Sequence, residues 1–396
     1  MKSMMLQIIA VLTINIKSLP QRFWMSTSTI GAVALVVAVL LGFLAMANGF
    51  QKTISGTGSQ DTAIVLREGS QAELNSVISR PDQRIIEEAP GVARQNGAPV
   101  ASGELYVVVD GVKKASQTEA NLPLRGVGPM GLNVREGFKI TKGRMFASGS
   151  NEVVAGAALL REFSGFELGR TVRFGTSEWK VVGVFEANGS IFESELWADL
   201  PVVQSLFNRG SAVQVMRLGL SGQNTLEDMK SYLLEDQNLD LDIYTEQDYF
   251  AEQASQTTNF IQYLGWPLGV AMALGALAGA LNTMYSSVAS RASEIATLRA
   301  IGFSGFSAFV GTLAEALVLS AMGAVLGVLI AWAFFDGIST STLGASFTQV
   351  VFTFELSLDV IVQALILALA IGLIGGILPA VRAARQNVAA AFQTAE

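Results

Sequence analysis

Neither cysteine nor histidine occurs among the 396 residues. Their absence excludes disulfide frameworks, thiolate zinc sites, a Ser-His-Asp triad and an imidazole general base. Charge is scarce as well, at 15% of residues, against about 25% in soluble domains. Hydrophobic residues make up 51% of the chain, and the mean hydropathy is +0.44. A net charge of −7 and a pI near 4.9 argue against nucleic acid as a partner. Enzyme readings start poorly, and no catalytic or metal-ligating residue is expected.

Four stretches hold almost no charge. Phe23–Phe50, Phe260–Tyr285 and Val360–Val381 have none, and Phe306–Phe335 has only Glu315. At about 1.5 Å per helical residue, roughly 20 residues cross a hydrocarbon core of about 30 Å. Transmembrane helices are therefore expected at 23–50, 259–285, 306–335 and 357–381. Basic residues set the orientation. Lys2, Lys17 and Arg22 precede the first span without an acid, Arg291 and Arg299 flank Glu294 in the 286–305 link, and Arg382 and Arg385 follow the fourth span. Asp336, Glu355 and Asp359 stand without a base between the third and fourth spans. This pattern puts both termini, the 286–305 link and the 382–396 tail in the cytoplasm, and a 336–356 loop outside. Residues 1–22, with Lys17, Pro20 and Arg22 ahead of the span, read as an interfacial amphipathic helix.

Between the first two spans lies a segment, 51–258, with 19 basic and 27 acidic side chains. About 200 residues can build their own core, and a large acidic domain without disulfides suits a bacterial periplasm. The fold class is then a membrane protein with four transmembrane α-helices and a large α+β periplasmic domain inserted between the first and second. Strands are expected at Thr62–Arg67, Glu104–Asp110, Thr171–Phe174, Trp179–Phe185 and Val213–Leu220. Helices are expected at Pro81–Ala89, Ala155–Phe163, Thr225–Glu235 and Glu246–Thr258. The last runs into the second span as a stalk (Ala251, Ser255), partnered by the first span's extension through Phe50 and Ile54. An α/β part at about 55–110 and 213–258 flanks a β-rich insertion at about 111–212.

Several motifs invite chemistry that their surroundings refuse. Gly126–Gly131 satisfies G-x-G-x-x-G, but Pro129 sits inside it and no helix pattern follows, so it reads as a turn rather than a dinucleotide site. Leu220–Gln223 resembles part of an ABC ATPase signature by chance, since no phosphate loop exists in the chain. The pairs Glu193/Glu195 and Glu227/Asp228 read as solvated surface of an acidic domain. Glu315 is costly inside a span. An ion or proton relay is open to it, but a hydrogen-bonded contact with another helix is the favoured role. Gly275/Gly279, Gly323/Gly327 and Gly372/Gly376 are G-x-x-x-G pairs suited to close helix packing.

The link reads Ser287-Val-Ala-Ser-Arg291-Ala-Ser-Glu294-Ile295-Ala-Thr-Leu298-Arg299-Ala-Ile-Gly302. It resembles the coupling motif of MacB/FtsX/LolC-type ABC permeases. Glu315-Ala-Leu317, Leu378-Pro379 through Arg385, and Gly143-Arg144, Glu152–Gly156 and Glu195-Leu-Trp197 resemble other parts of those families, the last group their MacB-type periplasmic core. If helical, Arg291, Ile295, Leu298 and Gly302 share one stripe at i, i+4, i+7 and i+11, flanked by Glu294 and Arg299. The resemblance implies that this stripe meets an ATPase.

It further implies the permease subunit of an ABC transporter in the bacterial inner membrane. The chain would bind no cofactor, with ATP and Mg on a separate ATPase subunit, since only 22 residues precede the first span. A second permease copy, more readily identical than different, a periplasmic adaptor and membrane lipid are the other partners implied. The implied action is mechanotransmission for export or release. The alternative is an FtsX-like regulator that activates a periplasmic cell-wall hydrolase and transports nothing.

Overall fold

The computed structural model describes residues 2–18, 22–135, 137–222, 225–236, 239–344 and 346–386. Pro20, Gln223 and the tail beyond residue 386, all used in the readings above, lie outside the described residues.

In chain order the helices are α1 (Lys2–Ser18), α2 (Phe23–Ser55), α3 (Arg80–Glu87), α4 (Ala157–Glu162), α5 (Leu200–Leu206), α6 (Thr225–Glu235), α7 (Glu246–Ser290), α8 (Ala292–Ala300), α9 (Gly305–Phe335) and α10 (Leu358–Ala384). The strands are β1 (Thr62–Arg67), β2 (Arg94–Gln95), β3 (Ala98–Pro99), β4 (Ala101–Lys113), β5 (Glu119–Val127), β6 (Phe138–Gly143), β7 (Glu152–Gly156), β8 (Phe163–Ser164), β9 (Thr171–Phe174), β10 (Ser177–Ala187), β11 (Leu196–Asp199), β12 (Val215–Gly219), β13 (Leu241–Thr245), β14 (Ser339–Leu343) and β15 (Gln349–Thr353). Helices α2, α7, α9 and α10 are long and apolar enough to cross a membrane. Four apolar helices and a large α/β domain between the first and second of them make up the fold.

Two compact units divide the chain. The first comprises Met1–Asn48, Phe260–Gly337 and Phe354–Glu396. Its core joins Val33, Val37, Leu40 and Leu41 of α2 to Ala324 and Ala331 of α9 and Ala364 and Ala368 of α10. Side chains added at Gly323 and Gly327 would meet Val33, Val37 and the carbonyls of Ile30 and Ala34, and at Gly372 and Gly376 they would meet Ser320 and Ala316. These four glycines let backbones approach closely. Among the described residues, Gly275 and Gly279 of α7 meet no such neighbour. Helices α9 and α10 start on Ser304 and Ser357, whose hydroxyls accept from the amides of Ser307 and Val360, satisfying donors a first turn leaves open. Helix α1 lies along α9, with Val11 against Gly311 and Gln7 bonded to Ser304 and Ser307.

The second unit comprises Gly49–Asn259 and Ile338–Thr353. One sheet runs β13-β1-β12-β4-β5-β11-β7-β10-β6, with β8 on β4 and β9 on β10. Strands from 55–110 and 213–258 thus lie side by side at one end and those of 111–212 at the other, hydrogen-bonded into one sheet through β4–β5. A core at the first end gathers Ala63, Val65, Ile86, Met216, Leu218 and Met229. A core at the other gathers Leu105, Leu122, Leu124, Phe163, Trp179 and Leu196. Helix α3 opens with a capping box between Ser79 and Asp82.

Strands β1 and β9 and helix α6 fall where the sequence places them, and α7 is unbroken from Glu246 to Ser290. Of the Ala155–Phe163 stretch read as helical, Ala155 and Gly156 instead end β7 and Phe163 opens β8, leaving α4 between them. The Gly126–Gly131 segment ends β5 and closes a turn through Gly131 N–H to the Gly128 carbonyl, 2.9 Å. The segment read as a plain 336–356 loop forms the β14–β15 hairpin, and Val351 enters the second unit's core. Its Ser- and Thr-rich first strand hides that role, while Val350-Val351-Phe352, each at most 3% exposed, carries it.

Candidate functional site

In the first unit, polar groups converge on the start of α8. Arg291, 6% exposed, ends the turn after α7 and spreads its guanidinium over three partners. Nη1 donates to Glu315 at 3.1 Å, Nη2 to Asn15 Oδ1 at 2.6 Å and Nε to Glu294 at 3.1 Å. Arg22 approaches Glu315 to 3.7 Å, and Ser287, which accepts from Arg22, donates to Glu315 at 3.3 Å. One carboxylate thus ties α9 to α7, α8 and the residue before α2. Its sequence signal was the cost of a lone acid in an apolar run, and the structure supplies the helix contact that such an acid requires.

The predicted stripe faces mainly inward. Ile295 is buried with Val288 and Ala383, and Leu298 is half-buried. Arg299 donates to the carbonyls of Ala384, 3.1 Å, and Gln386, 2.6 Å, at the end of α10, where a cation meets the negative pole of the helix. Gly302 is exposed with φ +104°, a left-handed turn that suits glycine. The exposed positions are Ser293, Glu294, Thr297, Ala300 and Ile301. Arg291, Ile295 and Arg299 are anchors of the link, not its outer surface: a helix laid on a packed bundle turns its apolar stripe toward the bundle.

The second unit holds a cluster that sequence reasoning missed. Arg125 of β5, Arg217 of β12 and Arg135, each at most 8% exposed, meet Glu73, Glu104, Glu195 and Glu246. Arg125 grips Glu195 with two bonds, 2.7 and 2.6 Å, and reaches Glu73 and Glu104. Arg135 holds both oxygens of Glu104 at 2.6 Å. Arg217 donates to Glu73 at 2.8 Å, to Glu104, and to Glu246 at 2.7 Å. Trp197 adds an N–H to Glu195 at 2.7 Å, and the ring of Phe192 lies under all three guanidinium groups. Glu246 is the first residue of α7, so Arg217 pins that helix to the sheet.

Glu193 and Glu195 are therefore not solvated surface. Glu193 accepts from the amides of Ala187, 2.9 Å, and Gly189, 2.7 Å. Glu227 and Asp228 are exposed, as expected. The members of the cluster lie ten to more than a hundred positions apart, and the sequence trace they leave is Arg125 and Arg217 within the apolar runs Leu122–Val127 and Val215–Gly219. Of the stalk residues, Phe50 and Ile54 are buried, Phe50 edge-on to Phe352 at 5.5 Å, while Ala251 and Ser255 are exposed.

Burial alone raises the pKa of Glu104, but Arg135, Arg217 and Arg125 outweigh it and hold the carboxyl well below its ordinary value. Glu73 is likewise lowered, its burial overcome by Arg125 and Arg217. A carboxyl whose folded value lies below its unfolded one, about 4.3, stabilises fully above that pH and loses the contribution as pH falls through the folded value. The thermal midpoint of the second unit is expected to stay level from about pH 7 to 5 and to drop only well below pH 4. Near-ultraviolet circular dichroism melts of the chain in detergent test this, and a midpoint already falling between pH 7 and 5.5 would show that these carboxyls are not held ionised.

Two family models match the chain: the MacB-like periplasmic core domain over residues 26–232 and the FtsX-like permease C-terminal region over residues 268–388. "Macrolide export ATP-binding/permease protein MacB 1/2" of Paracoccus denitrificans is 27% identical over 324 residues, covering 78% of this chain and 47% of its own length. The chain spans about half the length of such MacB relatives. "Uncharacterized ABC transporter permease YvrN" of Bacillus subtilis is 25% identical over 399 residues, covering 91% of this chain and 93% of its own. The periplasmic region of MacB from Actinobacillus actinomycetemcomitans aligns at 17% identity with a TM-score of 0.38, over 53% of this chain and 97% of that structure.

Proposed function

We propose, for a chain that belongs to the MacB/FtsX-type ABC transporter permeases, that it carries the force of a separate ABC ATPase across the inner membrane to a periplasmic domain. The ATPase docks on the exposed face of α8, formed by Ser293, Thr297, Ala300 and Ile301. The observation that carries this reading is the asymmetry of α8. Arg291, Ile295 and Arg299 tie its inner side to α9 and α10, so a push on its outer side moves the bundle rather than the link alone.

ATP and Mg reside on the ATPase, both termini and α8 are cytoplasmic, and two identical permease chains form the working unit. A second copy is supported by Gly275 and Gly279, where a side chain would meet no neighbouring atom among the described residues, which leaves room for another helix. Export is supported over hydrolase control by the names of the MacB relatives, which are macrolide export proteins, and a periplasmic adaptor completes the proposed assembly. The motion is delivered through α2 and α7 near Phe50, Ile54, Ala251 and Ser255.

The test is co-purification with the cognate ATPase. Ile301 is 68% exposed, and burying such a side chain contributes about 1.5–3 kcal/mol. Ile301→Asp is therefore expected to lower ATPase recovery at least tenfold while the chain still inserts and melts as before. Undiminished recovery with both Ile301→Asp and Thr297→Asp would remove α8 as the docking element.

A further inference from the structure

The dipeptide Asn-Gly occurs three times, at Asn48-Gly49, Asn96-Gly97 and Asn188-Gly189. It carries chemistry of its own. The glycine nitrogen, with no Cβ beside it, can attack the carbonyl carbon of the asparagine side chain. A bond forms from that nitrogen to Cγ, the Cγ–Nδ2 bond breaks, and ammonia leaves with the proton the glycine nitrogen gives up. Water then opens the succinimide ring on either side, leaving aspartate or isoaspartate. The step needs a glycine N–H free to ionise and a backbone free to turn at the asparagine.

The three copies differ in what surrounds them. Asn48 and Gly49 lie inside α2, where amides are bonded along the helix, and Asn48 Nδ2 donates to Ser357 Oγ at 2.8 Å. Asn96 and Asn188 are the closer comparison. Both are exposed, and both sit in turns with positive φ at each residue, 54° and 82° at Asn96-Gly97 against 54° and 72° at Asn188-Gly189. What separates them is the proton on the nucleophile. Gly189 N–H donates at 2.7 Å to Oε1 of Glu193, which also takes the Ala187 N–H at 2.9 Å. Ser190 N–H closes the same turn on the Ala187 carbonyl at 3.0 Å. Glu193 is 5% exposed, and a carboxylate so placed opposes a second negative charge on the nitrogen it holds.

Among the described residues, neither the Gly97 N–H nor the Asn96 side chain has a hydrogen-bond partner. Strands β2 and β3 pair over two positions, in a sheet of their own, and residues 94–98 are all exposed. A two-stranded ribbon is marginal in water and opens locally at low cost.

We propose that Asn96 is a site of spontaneous deamidation, and that Glu193 withholds the same reaction from Asn188. Modification puts a carboxylate at the tip of the β2–β3 hairpin, and the isoaspartate form adds a methylene to its backbone. Gln95, the neighbouring residue, accepts from Asn133 at 3.1 Å, so the change falls beside a tie between two turns. The site marks aged copies of the chain, and it does not depend on the ATPase-coupling role.

The full chain in detergent, held at mildly alkaline pH and sampled over days, tests this by tandem mass spectrometry of tryptic peptides. Deamidation registers as NH exchanged for O, and isoaspartate elutes apart from aspartate. Asn96 is expected to convert at least fivefold faster than Asn188 and than Asn48. In Glu193→Ala, Asn188 should convert at least threefold faster than in wild type. Near-ultraviolet circular dichroism melts show whether that variant stays folded. If it does not, Glu193→Gln, which keeps an acceptor and removes the charge, is held to the same threefold gain. A smaller lead of Asn96 over either of the other two sites would overturn the assignment. A smaller gain at Asn188 in the folded variant would remove Glu193 as its guard.

Discussion

Arg217→Met will cost the second unit on the order of 3–5 kcal/mol, because it removes one cation from a closed cluster and leaves carboxylates buried without their partner. Arg217 is fully buried and is shared by Glu73, Glu104 and Glu246. Methionine nearly fills the volume, so the loss reports charge rather than a cavity. For a domain of this size each kcal/mol moves the thermal midpoint by about 2–4 °C, so a fall of roughly 10–15 °C is expected. Glu246→Gln in the same background should recover part of it by removing one orphaned charge. A midpoint within 2 °C of wild type would mean that water enters the cluster and solvates the carboxylates.

Glu315→Ala will loosen α8 from the first unit by a comparable amount, on the order of 3–5 kcal/mol. Arg22 and Arg291 would then face each other with only the exposed Glu294, bonded to Arg291, left to offset them. The open population of the link should rise at least a hundredfold at that cost. Trypsin cleavage at Arg291 and Arg299, in the chain purified in detergent, should accelerate accordingly, with Glu315→Asp intermediate. Equal cleavage rates in wild type and Glu315→Ala would show that the carboxylate does not hold the link.

The two variants act on parts that differ in how far the sequence exposed them. Spans were legible because membrane solvation forbids charge, and 20-residue runs without Lys, Arg, Asp or Glu have few other causes. Strands such as Thr62–Arg67 were legible because turn residues bound them and their middle, Ala63 to Leu66, is apolar. The Arg291–Glu315 tie was half legible: the lone acid asked for a partner, but nothing local said it was Arg291. The outer face of α8 was not legible, since periodicity identifies a stripe without saying which way it turns. The cluster around Arg125 and Arg217 escaped entirely, because Glu195 looks like any carboxylate of an acidic domain until strand pairing puts β5 beside β11. An ion pair between distant positions is a property of topology, and topology begins where local pattern ends.

The β14–β15 hairpin has a consequence for biogenesis. Val351 sits in the same core as Leu105, Leu122 and Leu196, its amide bonded to Ser194 Oγ at 2.9 Å. Thr348 meets the buried Tyr106 hydroxyl at 2.6 Å. A domain whose chain is otherwise finished at Asn259 therefore has a gap in its interior until the ribosome has made roughly 90 further residues, a delay of roughly 5–18 s at 5–20 residues per second. Those residues include α7's apolar half and all of α9, which must be threaded into lipid first. The last piece of the second unit's core thus arrives only after α9 has been synthesised, so a failure of α9 to insert would leave that domain incomplete and open to proteolysis.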